Sequence, residues 1–264
     1  MRRAFLGIAA LLLSACQTTP DGEKVFNLVD DRQLAQMGLS AFNEMKGKGT
    51  LSSDPFVNGY VSCVAHKVIE VLPESARAIE WEVAVFNDET PNAFALPGGK
   101  IGVHTGILKV AQSEDQLAAV LGHELIHVTF SHAGQRVSQQ LALEAAGTAV
   151  QMYTGRDGRP RNPYVDAAIG IGGQLGVLLP FSRKHERQAD KQGQELMARA
   201  GYDPAQAAEL WRNMMRAAEG RPPEWLSTHP DPEARMTRLG ERAIELQGLM
   251  QEARAQGRGP GCAK

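Results

Sequence analysis

His123-Glu124-Leu125-Ile126-His127 is the run in this sequence with the most chemistry in it. Residues four apart on a helix share a face, so the two imidazoles can grip one metal ion. Glu124 lies beside them without being forced to ligate, where it can take a proton from a water that the metal acidifies. Chance produces such a pattern in roughly one chain in a hundred of this composition, a minor alternative.

A catalytic tetrahedral site needs a third protein ligand and one open position. One known arrangement places a histidine six residues past the second, with glycine three past it. Here those positions hold Ala133 and Phe130, which excludes it. His132, five residues after His127, points well around a continuing helix and reads as structural. A later run, His185-Glu186-Arg187-Gln188-Ala189-Asp190, puts Glu186 and Asp190 on one face. One carboxylate can ligate, and the other can accept the second ring N–H of a ligand histidine. On spacing alone, a solvated helix face beside Arg183, Lys184 and Arg187 weighs about as much. His66, His104 and His185 read as structural or surface groups, and His229 by itself as a loop residue before a helix.

The elements that must hold these residues follow from caps and periodicity. Ser113-Glu114-Asp115-Gln116 is a capping box that opens the motif helix, with Leu117, Val120, Leu121, Leu125 and Val128 as its apolar positions. Other helices are predicted from Asp30 to Lys46, from Pro55 (capped by Asp54) to Leu72, and over 182–200, 204–218 and 232–253. Trp81–Phe86, Asn92–Leu96 and Lys100–Thr105 read as short strands around the Pro97-Gly98-Gly99 turn. The stretch 167–181 is apolar but interrupted by Gln174 and Pro180, and too short to cross a bilayer. The expected class is α+β, mainly helical, with a small antiparallel sheet beside the motif helix.

The chain has 264 residues, 43% of them hydrophobic and 22% charged, which is ordinary for a globular protein. A formal charge of −2 argues against a general nucleic-acid binder. Arg2 and Arg3, the apolar run Phe5–Leu13, and Leu13-Ser14-Ala15-Cys16 have the form of a lipoprotein signal. The alternatives are an uncleaved anchor or a plain secretory signal. The resulting expectation is a signal peptide over 1–15, lipid on Cys16, a tether over 16–30, one metallopeptidase domain over 31–256 and a tail over 257–264. Cys63 and Cys262 are then a candidate disulfide in an oxidising compartment, against a buried thiol and a loose one. Gln17, rather than aspartate, after Cys16 favours the outer membrane.

Four separated stretches carry a family resemblance: Asn92-Ala93-Phe94-Ala95-Leu96-Pro97-Gly98-Gly99, Gly122-His123-Glu124-Leu125-Ile126-His127, Glu186-Arg187-Gln188-Ala189-Asp190 and Ser227-Thr228-His229-Pro230. In order and spacing they resemble the HtpX-like and CaaX-prenyl-protease-like zinc peptidases, especially the periplasmic, LoiP-like lipoprotein branch. The likeness covers about half of the chain, from Asn92 to near Leu239. It implies a zincin-like (gluzincin) domain with one Zn2+ per subunit on His123, His127 and Glu186, and Glu124 as general base. It further implies Asp190 as support for a ligand, His229 near the reacting carbonyl, and Asn92, Ala93, Phe94 and Ala95 as an edge strand for substrate. The implied activity is endopeptidase action on proteins, unfolded ones above all, on the periplasmic face of the envelope. Prenyl-protein substrates do not carry over, because the sequence shows no spanning helix beyond its signal. Two other readings are weighed. Glu124 counts against a non-catalytic zinc-binding chaperone or assembly lipoprotein, and the edge strand against a zinc hydrolase of a cell-wall substrate. The oligomeric state stays open.

Overall fold

The computed structural model describes residues 16–142, 181–217, 229 and 232–263. The signal segment 1–15, the stretch 167–180, the residues flanking His229 and the side chain of Cys16 lie outside the described residues.

The chain starts with an antiparallel pair, β1 (Cys16–Thr18) and β2 (Lys24–Phe26). Then come α1 (Asp31–Lys48), α2 (Pro55–Ile69), α3 (Glu74–Arg77), β3 (Glu82–Phe86), β4 (Ala93–Leu96) and β5 (Lys100–His104). They are followed by α4 (Ile107–Val110), α5 (Glu114–Thr129), α6 (Arg183–Arg199), α7 (Gln206–Ala217) and α8 (Pro232–Ala255), with helical backbone also over 132–142. Side-chain caps start these helices where the sequence offers them. Asp54 accepts from the N–H groups of Phe56 and Val57, Ser113 from Gln116, and Ser182 from His185.

The fold is mainly helical with a small sheet beside α5, as expected, but the sheet is not wholly antiparallel. Its order is β3–β5–β4, with β4 antiparallel and β3 parallel to β5. Residues 87–92 carry the chain to the far edge before β4 returns through Gly98 and Gly99, both at positive φ (80° and 77°). The later strand therefore lies between the two earlier ones, and the outer two need not alternate in direction. The rearrangement leaves β4 at an edge of the sheet among the described strands.

Most of the core lies where α2, α5, α6 and α7 meet, around Val64, Val68, Leu117, Leu121, Leu125, Met197 and Trp211. Helices α5 and α6 touch backbone to backbone. A Cβ on Gly193 would sit 2.8 Å from the His123 nitrogen, and one on Gly122 would sit 2.8 Å from the Gly193 carbonyl oxygen. That approach sets the two site-bearing helices at their shortest separation.

Both ends of the described chain are fastened to this body. Cys63 on α2 is bonded to Cys262, and the Glu114 carboxylate accepts from the Gly261 and Cys262 N–H groups. The 16–30 stretch, read above as a tether, holds the β1–β2 hairpin docked on the domain. Glu23 pairs with Lys184, Gln188 donates to Asp21 at 3.1 Å, and the Leu28 N–H donates to Ser138 Oγ at 2.7 Å.

Candidate metal centre

One helical turn of α5 brings the His123 and His127 Nε2 atoms within 3.0 Å of each other. Glu186, from the first turn of α6, places carboxylate oxygens 3.5 Å from His123 Nε2 and 3.6 Å from His127 Nε2. His229 Nδ1 lies 3.2 Å from His123 Nε2 and 3.0 Å from Glu186 Oε1. All four residues are buried, and their donor atoms fall within 4.8 Å of one another. Ligands about 2.0–2.1 Å from a tetrahedral zinc stand about 3.3–3.4 Å apart, so these residues fit a divalent metal. Spacing had left Glu186 level with a solvated face. The structure puts it inside, among the histidines.

His229 also reaches the site. Its Nδ1 stands among the donors, while its Nε2 lies 3.4 Å from Glu124 Oε1. Glu124 is itself buried beside the cluster. Asp190 Oδ1 is 3.2 Å from His123 Nδ1, the ring nitrogen turned away from the cluster.

Sequence reasoning missed Arg235. Its Nη1 donates to Glu186 Oε2 at 2.5 Å, its Nε to Asp190 Oδ2 at 2.9 Å and its Nη2 to Asp190 Oδ1 at 2.5 Å. The guanidinium is fully buried and stacks on the Trp211 ring at 4.0 Å. A signal was present: Arg235 falls in register with the buried stripe Leu239, Ala243, Leu246 and Met250 of α8. A cation on an apolar stripe asks for a buried anion.

His132 was read as pointing away, on the assumption that α5 continues. The helix ends at Thr129, and Ser131 takes a left-handed φ of 52°. That reversal folds His132 back so that its Nδ1 lies 3.0 Å from His127 Nδ1. His185 stacks on His132 with ring centroids 4.4 Å apart, and Phe181 stacks on His127 at 3.8 Å. Phe181 is the one described residue of the apolar stretch noted in the sequence. His66 and His104 stay away from the centre, His66 bonded to Ser62 and His104 packed on Phe86 and Phe94.

The electrostatics favour ionised carboxylates on α6 and a neutral His127, as a metal requires, together with a protonated His123. Burial would push Glu186 up, but His229, His123 and Arg235 hold it well below the usual carboxylate range. Asp190 is lowered too, against the effect of burial, chiefly by Arg235. Burial and then the charge of His123 keep His127 well below its ordinary value. Burial and Arg235 oppose protonation of His123, yet Asp190 and Glu186 carry it up to about 9. Burial and then His185 push His132 down to about 3, and burial and then Arg136 push His185 down to about 4.

Beside His127 a slot of about 20 Å³ is lined by Ala95, Pro97, Val128 and Phe181. A groove of about 630 Å³ shares Pro97, Val128 and Ser131 with it and runs beneath the β1–β2 hairpin.

Residues 55–243 match the model of Peptidase family M48. The chain is 38% identical to the mitochondrial metalloendopeptidase OMA1 of Schizosaccharomyces pombe, over 82% of this chain and 62% of that protein. It is 35% identical to metalloendopeptidase OMA1 of Danio rerio, over 84% and 49% respectively. To the beta-barrel assembly-enhancing protease of Escherichia coli strain K12 it is 26% identical, over 92% and 50%. The chain spans about half to three fifths of the length of these curated relatives. The matched region contains every residue of the four-donor cluster, and Asp190 and Arg235 with them.

Proposed function

This chain belongs to peptidase family M48, and we propose on that premise that it is a zinc-dependent endopeptidase of the bacterial envelope that cuts unfolded polypeptides. The observation that carries the reading is a buried set of three imidazoles and one carboxylate with a second carboxylate, Glu124, alongside. A purely structural zinc site needs no such base.

His123, His127 and Glu186 would hold the zinc, which supplies Lewis acidity and brings the pKa of a coordinated water toward about 7. Glu124 takes the proton of the attacking water and delivers it to the leaving amine. Asp190 fixes the His123 tautomer by accepting from Nδ1. Arg235 orients Glu186 and neutralises the paired carboxylates. With its Nδ1 among these donors and its Nε2 beside Glu124, His229 would be placed to share charge developing on the substrate oxygen.

Substrate would lie along Asn92, Ala93, Phe94 and Ala95, adding a strand to the edge of β4 that no described strand occupies, through backbone hydrogen bonds. This mode reads an extended backbone, which an unfolded segment offers and a folded domain does not. The groove from Pro97 to the hairpin gives such a segment room to continue.

For location, a lipid on Cys16 and membership of the periplasmic lipoprotein branch agree with two observations. The Cys63–Cys262 bond suits an oxidising compartment, and no helix among the described residues is long and apolar enough to cross a membrane. Gln17 after Cys16 favours the outer membrane.

The test is casein cleavage by the zinc-loaded chain and by Glu124→Ala. Cleavage by the first, lost in the second with zinc still bound, is the expected result. Equal cleavage by both would remove Glu124 from the chemistry. A zinc-loaded, folded chain that cuts nothing would favour a binding module.

A further inference from the structure

A histidine that binds metal through Nε2 carries its proton on Nδ1, and that N–H is normally given to a carboxylate, a carbonyl or water. For His123 the acceptor is Asp190. For His127 it is another histidine, His132, with its Nδ1 at 3.0 Å. Accepting there leaves the His132 proton on Nε2, which lies 3.0 Å from Gln188 Oε1. The Gln188 amide then presents its N–H group to Asp21 Oδ2 at 3.1 Å, and the other Asp21 oxygen accepts from Thr19 Oγ1 at 2.5 Å. From His127 through His132 and Gln188 each donor points away from the metal site, and the series ends on the Asp21 carboxylate, which Thr19 donates to from the other side. Asp21 and Thr19 belong to the turn of the β1–β2 hairpin, the first described part of the chain.

Resting on the metal-site reading above, we propose that His132 is a positioning residue for His127, and that the amino-terminal hairpin is part of the metal centre through Asp21, Gln188 and His132. The relay fixes the His127 tautomer and ring plane. His132 is fully buried, so bulk water does not compete for its nitrogens. The left-handed Ser131 is the local feature that makes the contact, since a continuing helix would carry His132 away. Undocking of the hairpin would therefore loosen a metal ligand without touching the ligand set itself.

The experiment measures zinc affinity of the full chain by chelator competition, together with the visible spectrum of the Co2+-substituted protein. His132→Phe should weaken zinc binding about 10–100-fold and shift the cobalt bands. His132→Asn, whose amide oxygen can accept where Nδ1 did, should recover most of both. Gln188→Leu and the exposed Asp21→Ala should each cost about 2–10-fold, the worth of one hydrogen bond, and shift the cobalt bands in the same direction. If His132→Phe does not fold, the Gln188 and Asp21 variants decide. Unchanged affinity and spectrum in those two would overturn the relay while leaving the peptidase reading intact. A wild-type chain that binds no zinc would overturn both.

Discussion

Arg235 is the residue on which the buried charges of the site depend. Glu186 and Asp190 come from one face of α6, and both are ionised and out of water, where two neighbouring carboxylates repel. The guanidinium meets both at once, as its fork geometry allows and a lysine ammonium does not. Arg235→Leu should cost about 3–5 kcal/mol in unfolding free energy, because it strands two buried anions. Arg235→Lys should restore only part, and denaturant unfolding of the metal-free chain is the check. The stacked histidines add a pH dependence. His132 at about 3 and His185 at about 4 stay neutral in the fold, while an unfolded imidazole protonates below about 6.5. Between those values the unfolded chain binds more protons, so stability falls as pH falls from about 6.5 toward 4. His123, raised to about 9, acts in the opposite sense: its contribution is full below about 6.5 and is lost as pH rises toward 9. The melting temperature of the metal-free chain should thus drop on both sides of about 6.5, and His185→Gln should flatten the acid side. A melting temperature constant from pH 6.5 to 4 would contradict this. Much of the residue-level chemistry was legible, since a four-residue spacing on one helix needs no tertiary information. Arg235 was not, because a charged residue is assigned to a solvated face until its helix stripe is known to be buried.

Among the elements, α5 and α6 matter most, and their relation rests on two glycines. Gly122 and Gly193 let the helices approach until backbone meets backbone, which is what brings Glu186 level with His123 and His127. A single added methyl cannot be absorbed by a neighbouring side chain, because the atoms it meets are main chain. Gly193→Ala should therefore destabilise the fold by about 1–3 kcal/mol as an overpacked contact. It should also weaken zinc binding, which an equally costly substitution at Phe42, in a separate core cluster, should not. Urea unfolding with zinc titration separates the two effects. The helices themselves could be read from the sequence, since Asp54, Ser113 and Ser182 are caps with local partners. The strand order could not. Whether Glu82–Phe86 pairs with its sequence neighbour or with the strand after it is decided by how residues 87–92 cross, not by alternation along β3. Ser131 is a similar case, as nothing in its local sequence demands φ of 52°.

At the scale of the whole molecule, the two described ends lie on the same body that holds the metal centre. The hairpin joins α6 through Asp21 and Glu23, and the carboxy-terminal segment joins α2 and α5 through Cys262 and its neighbours. Cys63 and Cys262 could be read as a candidate pair once Cys16 is set aside for lipid, but the docking of the hairpin was not legible, since it depends on partners more than a hundred residues away. The bond between Cys63 and Cys262, with a sequence separation of 199, makes most of the chain a covalent ring. Under the proposed activity one copy can cut another, and one nick inside a ring opens it without releasing a piece. Such a molecule should run as one band on a denaturing gel without reductant and as two with it. The gel therefore distinguishes a copy that has been cut from one that has been lost.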